Sequence, residues 1–328
     1  MSGNRPKRVA LVWAPQETRT EWIAQELGAE VWHIHFFKYK RPFYAPFKYP
    51  LQTVATLWRL VRQRPTTVYV TNPPVFAALT VALYCAFTRT AYVMDTHPPS
   101  LYHPKLKWTI PLQKIAARRA LANVTDQERF KRQIDSWGTH TVILERPPMV
   151  LPSPPLPLDD PVRVLVINTF AIDEPIEPLF DAARRCPEVE LRVTGDLARA
   201  DHSQVARAPE NVVFTGYLRG DAYWNELRDA TVVVALTTFE HSILLATQDA
   251  MTVRRPLVTS DQPVLRDVLG DAAVFVANEG EAVAAGIREA IERREDLAER
   301  IEMARHDADE RWKTGFAELS EILDSHES

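Results

Sequence analysis

Short apolar, β-branched runs alternate with stretches of helical periodicity along the whole chain. In the first half the runs Arg8 to Trp13, Glu30 to His35, Thr67 to Thr71, Ala91 to Asp95, Asn123 to Thr125 and Thr141 to Leu144 read as strands, each separated from the next by a helix-like stretch. Strands that are apolar nearly throughout are covered on both faces, and the intervening helices are the crossovers a parallel sheet needs. The pattern predicts a parallel, doubly wound sheet. The stretch Glu145 to Pro161 then breaks both periods, because its prolines remove donors and fix φ. Strand-like runs resume at Arg163 to Asn168, Glu190 to Thr194, Val212 to Thr215, Thr231 to Leu236, Pro256 to Thr259 and Ala273 to Val276. A second sheet of the same kind follows.

These patterns divide the chain into an N-terminal Rossmann-like domain over 1–150, a Pro-rich linker over 151–161, and a second Rossmann-like domain over 162–300. Beyond Glu281 the chain becomes highly charged and helical, and the last segment, 301–328, carries Trp312 and Phe316 and is expected to be able to return to the first domain. The fold class expected is α/β, with two doubly wound domains facing across a cleft. Ligands of such sheets bind beyond the carboxyl ends of the strands. Fold alone does not say which ligand, so chemistry must come from particular residues.

Composition narrows the classes. At 328 residues and 46% hydrophobic, the chain can bury two cores of ordinary size. A net charge of -4 and a pI near 6.2 give no general attraction to nucleic acid. Cys85 and Cys186, the only cysteines, fall in different halves, which argues against a disulfide framework and for a reducing compartment. The N-terminus passes from a short polar tag straight into a strand, without the apolar stretch of a secretory signal, so a cytoplasmic chain is expected. The most apolar run, Val75 to Phe87, is shorter than the roughly 20 residues of a spanning helix and reads as a core or interfacial helix.

Charge is unevenly placed. Between Glu30 and Asp95 there is no carboxylate, yet Lys38, Lys40, Arg41, Lys48, Arg59, Arg62, Arg64 and Arg89 all fall there, interleaved with Phe36, Phe37, Tyr39, Phe43, Tyr44, Phe47, Tyr49 and Trp58. Aromatic rings among cations suit either a solvated face above core aromatics or a peripheral membrane patch over residues 36–64, at the inner face of the membrane.

The segment from Glu210 to Asp271 is the most specific part of the chain. It carries Phe214 and Gly216 at a strand end, Glu240 in a loop, Asp249-Ala250-Met251 on a helix, Pro256-Leu257-Val258, Ser260-Asp261 and Leu265-Arg266-Asp267, in that order. This order resembles the donor domain of family 4 glycosyltransferases, enzymes of the GT-B architecture. The opening of the same half, with Thr169, Phe170, Asp173 and Glu174, and Asn72-Pro73-Pro74 in the first half are most similar to the chitobiosyl-diphosphodolichol mannosyltransferase-like branch, which acts on lipid-linked or surface glycans.

The resemblance implies a nucleotide sugar, UDP- or GDP-linked, as donor and a glycan or polyprenyl-linked molecule as acceptor. It implies donor contacts from Thr169, Phe170, Gly195, Tyr217, Glu240, His241, Ser242, Ile243 and Asp249, with no metal and no cofactor besides the donor itself. Elementary chemistry agrees: a carboxylate such as Asp249 accepts both ribose hydroxyls, and backbone N–H groups of His241, Ser242 and Ile243 before a helix suit a diphosphate. The chain also departs from the family. Two acids usually stand eight positions apart here, whereas the position eight before Asp249 is His241, with Glu240 one earlier; a family glycine is Arg254, and the basic pair after the first donor strand has no counterpart. His241, Arg254 and Arg255 are the candidates for replacement charge.

In the first half, Asp95 and His97 end a predicted strand. In an inverting reaction either is the candidate general base for the acceptor hydroxyl; in a retaining one His97 is a sugar contact. Both stay open. The loop Ala14 to Trp22, in place of the family's glycine-rich loop, offers Gln16, Glu17 and Thr18 to an acceptor. The leading reading is a hexosyltransferase of polysaccharide or glycolipid assembly. Two others stand beside it: a catalytically degenerate subunit that binds a nucleotide sugar or scaffolds a complex, and a sugar-nucleotide epimerase of the same shape.

Overall fold

A computed structural model describes residues 7–37, 42–146, 149 and 162–327. The predicted linker at 151–161 lies outside these residues, as do Lys38, Tyr39, Lys40 and Arg41 of the basic aromatic stretch. The described residues form two compact units, one of 7–146 with 310–327 and the other of 149 with 162–309.

The first unit runs β1 (Arg8–Val12), α1 (Thr18–Glu26), β2 (Glu30–His33), α2 (Ala45–Gln63), β3 (Thr67–Asn72), α3 (Val75–Cys85), β4 (Ala91–Thr96), α4 (Pro99–Tyr102), α5 (Ile110–Ala117), β5 (Ala122–Thr125), α6 (Glu128–Asp135) and β6 (Thr141–Ile143). Its strands form one parallel sheet in the order β2-β1-β3-β4-β5-β6. Alternation at period two sorts the side chains. Val9, Leu11, Val68 and Val70 pack under α2, α3, α5 and α6, while Ala10, Tyr69, Val93 and Val124 face α1 and the end of the chain. Both faces are thus buried, which is why these strands are apolar almost throughout. The run Val75 to Phe87 is largely a core helix: its inner residues Ala77, Ala78 and Val81 are fully buried.

The second unit runs β7 (Arg163–Val166), α7 (Glu177–Arg185), β8 (Glu190–Thr194), α8 (His202–Val205), β9 (Val212–Gly216), α9 (Asp221–Asp229), β10 (Val232–Ala235), α10 (Leu245–Thr252), β11 (Leu257–Ser260), α11 (Pro263–Leu269), β12 (Val274–Val276), α12 (Gly280–Glu292) and the long α13 (Arg294–Glu327). Its sheet is also parallel, in the order β12-β11-β10-β7-β8-β9. One face carries α7 and α12 through Phe180, Val283 and Ile287; the other carries α9, α10 and α11 through Leu227, Met251 and Leu265. Every predicted strand is therefore a strand, in two doubly wound α/β sheets.

Residues of α13 from Glu310 onward belong to the first unit, where Trp312, Leu319 and Leu323 complete the core on the Ala10 side. A glycine is required at the approach of α13 to β6, because a Cβ on Gly315 would stand 2.1 Å from the carbonyl oxygen of Ile143. Near the end of α13, Glu327 accepts from Arg8 and from the Thr67 hydroxyl and pairs with Lys7 at 2.6 Å.

Strand order changes direction at β1/β3 in the first unit and at β7/β10 in the second. At such switch points neighbouring loops leave the carboxyl ends of adjacent strands in opposite directions and open a crevice. Of the residues singled out from the sequence, Thr169, Phe170, Glu240, His241, Ser242 and Ile243 lie on the loops after β7 and β10, whereas Asp95 lies in β4, His97 just beyond it, Gly195 after β8, Tyr217 after β9 and Asp249 in α10.

Candidate functional site

In the first unit the loop after β1 starts α1 at once. Glu17 caps it: its Oε2 accepts from the Thr20 N–H at 2.6 Å, while Glu21 Oε1 accepts from the Glu17 N–H at 3.2 Å. The Glu17 carboxylate therefore serves the helix end. This cap sets Arg19 one position into the helix, from which it donates to Leu144 O at 2.6 Å, Glu145 O at 3.3 Å and Asp95 Oδ2 at 3.3 Å.

Asp95, in β4, is fully buried. Burial alone would raise its pKa, but the Arg19 guanidinium and His97 outweigh it and hold the carboxyl well below the usual range. His97 Nε2 lies 3.4 Å from Asp95 Oδ2, an ion-pair contact longer than a good hydrogen bond. Burial lowers the imidazole pKa, and Asp95 more than reverses this, so the net direction is upward. The Tyr69 hydroxyl faces the same carboxylate, and burial with that neighbour raises its pKa well above normal. Burial also raises Asp126, just past β5, against the pull of Arg19 and His97. The cluster is a neutralised charge network in a low-dielectric site, where an unpaired member would be costly.

The backbone of His97 is fixed as well. Its N–H donates to Asn72 O at 2.8 Å, and its carbonyl accepts from the Ser100 N–H at 2.9 Å and the Ser100 hydroxyl at 2.8 Å. Asn72 Nδ2 in turn donates to Gln113 Oε1 at 2.9 Å. Asn72 of the Asn-Pro-Pro run thus anchors the turn that presents His97. Of the two residues named for catalysis, His97 retains an exposed edge, its side chain 21% accessible, while Asp95 lies behind it with none. Such a geometry suits an imidazole that donates a hydrogen bond, with Asp95 and Arg19 holding its orientation and charge.

In the second unit, the loop after β7 folds on itself. Glu174 Oε2 accepts from the Thr169 N–H at 2.5 Å and the Thr169 hydroxyl at 2.9 Å, and Asn168 Oδ1 accepts from the Phe170 N–H at 2.7 Å. Phe170 takes a left-handed φ of 56° and packs on Phe214. Gly195, at φ 127°, lies beneath it: a Cβ there would stand 2.5 Å from Asn168 O and 2.7 Å from the Phe170 ring. The sequence places Phe170 and Gly195 as donor contacts; the structure brings them together as one packed pair.

Asp173 ties this loop to the one after β10. Its Oδ2 accepts from the Thr237 hydroxyl at 3.0 Å, and its carbonyl accepts from the Thr238 N–H at 2.7 Å. Thr237 is held further by Ser260 and Asn278, with the Asn278 amide donating to Thr237 O at 2.9 Å. The chain then turns through Glu240, His241, Ser242 and Ile243 into α10. Glu240 is exposed, His241 is mostly covered with its Nε2 4.0 Å from Glu240, and Ile243 packs against the α9–α11 core. Asp249 lies in the second turn of α10, buried, its Oδ2 accepting from the Tyr223 hydroxyl of α9 at 2.7 Å. Tyr217, after β9, exposes its ring with the Arg219 guanidinium 4.8 Å above it.

Arg254 and Arg255 do not supply the replacement charge. They follow α10, which runs back toward the amino ends of the strands; Arg254 pairs with Glu302 at 2.7 Å, and Arg255 is buried and donates to Arg228 O. Cations on loops beyond the carboxyl ends are Arg199 after β8 and Arg219 after β9. Among the described residues, no group of three or more His, Cys, Asp or Glu is placed to hold a metal ion.

Sequence reasoning missed Arg19, Tyr69 and Asp126 in the first unit and Asp173 and Tyr223 as site residues in the second. A carboxylate at a strand end in a fully apolar run does signal that some cation must neutralise it. Nothing in the linear pattern says that the cation is Arg19, 76 positions away.

Residues 168–293 match the family described as glycosyl transferases group 1. No curated protein sequence is significantly similar to this one. Among solved structures, sucrose-phosphate synthase of Thermosynechococcus elongatus is 12% identical with a TM-score of 0.70, over 97% of this chain and 88% of that one. HepE of Anabaena, in complex with UDP and glucose, is 14% identical with a TM-score of 0.69, over 98% and 100%. The lipopolysaccharide outer core galactosyltransferase WaaB, in its apo form, is 14% identical with a TM-score of 0.62, over 97% and 99%. At these identities the likeness establishes the fold, which is that of GT-B glycosyltransferases. The family match supports a glycosyltransferase.

Proposed function

We propose that the chain transfers a hexosyl unit from a UDP- or GDP-linked sugar to a glycan or polyprenyl-linked acceptor, as a metal-independent member of family 4 close to the lipid-acceptor branch. The observation that carries this reading is the loop pair at the β7/β10 switch point, joined by Asp173 and Thr237, inside the segment that matches glycosyl transferases group 1. HepE, similar in fold, was solved with UDP and with UDP-glucose.

In this reading Asp249, oriented by Tyr223, accepts from the ribose hydroxyls. Backbone N–H groups of His241, Ser242 and Ile243 and the start of α10 meet the diphosphate, where they stabilise the charge that grows as the sugar–phosphate bond breaks. Thr169, the packed pair of Phe170 and Gly195, and Glu240 shape the sugar subsite, and Tyr217 stacks on the base beside Arg219. In the first unit His97 contributes a hydrogen-bonding group to the reaction, with Asp95 and Arg19 as positioning residues. Positioning and electrostatics then supply most of the rate. The acceptor would be met at the inner face of a membrane, through residues 36–64.

A second reading, a nucleotide-sugar-binding subunit without turnover, is favoured by one observation: Arg254 and Arg255 are committed elsewhere, to Glu302 and to Arg228 O.

Two measurements decide. Thermal shift with UDP, GDP, dTDP and ADP should show stabilisation by UDP or GDP, since a ligand at 100 times its Kd adds about 2.7 kcal/mol. Donor turnover by the parent, His97→Asn and Asp249→Asn, in buffer with EDTA, should show activity in the parent and losses in both variants. Binding with no turnover from any donor selects the second reading, and no binding of any nucleotide rejects both.

A further inference from the structure

On the Val9–Leu11 side of the first sheet, α2, α3 and α5 lie side by side, with their inner residues in one core. Among the described residues, their outer sides carry exposed apolar side chains. Phe47, Leu51, Val54, Trp58 and Val61 of α2 recur at helical spacing as one stripe, each between 45% and 66% exposed. Leu83 and Phe87 of α3 extend it, as does Trp108 before α5, whose ring lies 6.4 Å from Phe76. Every exposed large apolar side chain described in the first unit falls between Phe36 and Ile115. An exposed apolar stripe rimmed by cations marks an interaction surface.

Charge identifies the partner. From Val31 to Thr125 the sequence holds thirteen Lys and Arg and a single carboxylate, Asp95, which is fully buried. Arg62 stacks on Trp58 within the stripe, and Arg64 and Arg89 line an open depression at its Val61 end. A second copy docked on the same face would set cation against cation, since a two-fold contact pairs a patch with itself, and the carboxylate beside α2, Glu30, already pairs with Arg59 at 3.0 Å. An anionic surface meets no such repulsion.

We propose that this outer face of α2 and α3, with Trp108, rests on an anionic bilayer. The apolar stripe enters the headgroup–acyl boundary and Arg62, Arg64 and Arg89 meet lipid phosphates. This deepens the acceptor side of the proposed function, and its test needs no turnover.

The full chain is floated with phosphatidylcholine vesicles and with equal mixtures of phosphatidylcholine and phosphatidylglycerol. Binding to the anionic vesicles alone is expected, weakening with salt and accompanied by a blue shift of tryptophan emission. Val54→Asp with Trp58→Asp should reduce it on the order of tenfold or more, and Arg64→Gln with Arg89→Gln on the order of tenfold, with circular dichroism and Tm unchanged. The proposal is overturned by a parent that ignores anionic vesicles, by variants that bind as well as the parent, or by a parent dimer that Val54→Asp with Trp58→Asp dissociates. Donor turnover measured in parallel separates the two claims: its absence counts against the proposed function, and absent vesicle binding against this surface.

Discussion

The two units share a six-stranded parallel sheet but use their strand ends differently. In the first, the direction reverses after one outward strand, and the polar groups at the carboxyl ends are side chains that meet one another, Arg19 and His97 on Asp95, with Asp126 within their electrostatic reach. In the second, the reversal comes after two, and the loops are held largely by bonds to backbone N–H groups, the Thr169 N–H donating to the Glu174 carboxylate, the Phe170 N–H to Asn168 Oδ1 and the Thr238 N–H to Asp173 O. A preformed charge network suits a single group that must keep one orientation and protonation state. Loops braced from behind leave other N–H groups and side chains on their outer side, which suits a ligand carrying its own charge.

If the first network is a closed electrostatic unit, breaking it should cost most. Arg19→Leu leaves Asp95 buried without its main partner and should destabilise the first unit by about 3 kcal/mol or more in denaturant unfolding. Arg19→Leu with Asp95→Leu should recover much of that loss, because an apolar pair needs no neutralisation. A single variant as stable as the parent would dissolve the contrast between the units.

Next in size is Gly195→Ala in the second unit. The added Cβ meets backbone at 2.5 Å and the Phe170 ring at 2.7 Å, in a conformation that side chains rarely adopt. A loss of about 2 kcal/mol is expected, together with weaker nucleotide binding as Phe170 moves. Calorimetric unfolding and nucleotide titration check both parts.

A smaller change isolates the Asp249 carboxylate. Tyr223→Phe removes the 2.7 Å bond that orients it without altering packing, and nucleotide affinity should fall about fivefold, the worth of one ordinary hydrogen bond. Titration calorimetry showing unchanged affinity would mean that Asp249 is oriented by other contacts or does not meet the ribose.

The smallest effect is in pH. His97 has a folded pKa above its ordinary 6.5, so the stability it contributes is fully present below 6.5 and is lost as pH rises through the folded value. His97→Gln should flatten stability against pH in that window and leave the acid side to Asp95. The depressed Asp95 contributes above its unfolded pKa, and its share is lost only as pH falls through the still lower folded one. A parent whose stability does not fall as pH rises above 6.5 would show that the His97–Asp95 contact is not an ion pair.

Much of the fold was legible because its signals are local. The runs around Val9, Val68 and Val93 are apolar nearly throughout since helices cover both faces, and that requirement is written residue by residue. The site was legible only as positions. The ordered motifs single out Thr169, Glu240 and Asp249 as candidates, and the strand-end rule Asp95 and His97, but the partners of these groups were not readable. Arg19 reaches Asp95 from α1, the helix that follows β1, Tyr223 reaches Asp249 from a neighbouring helix, and Asp173 meets Thr237 64 positions away. Arg254 and Arg255 looked available in the linear order and are committed once α10 reverses direction.

The amino-acid sequence by itself determined the number and kind of strands, the break at Glu145 to Pro161, and a cationic stretch free of carboxylates from Val31 to Met94. Tertiary structure alone decided which charges neutralise one another and which side of α2 stays uncovered. The physical reason is one of range. Periodicity and capping act within a few residues, so they are inscribed along the chain, whereas desolvation and ion pairing depend on whatever else arrives at the same place when the sheets close.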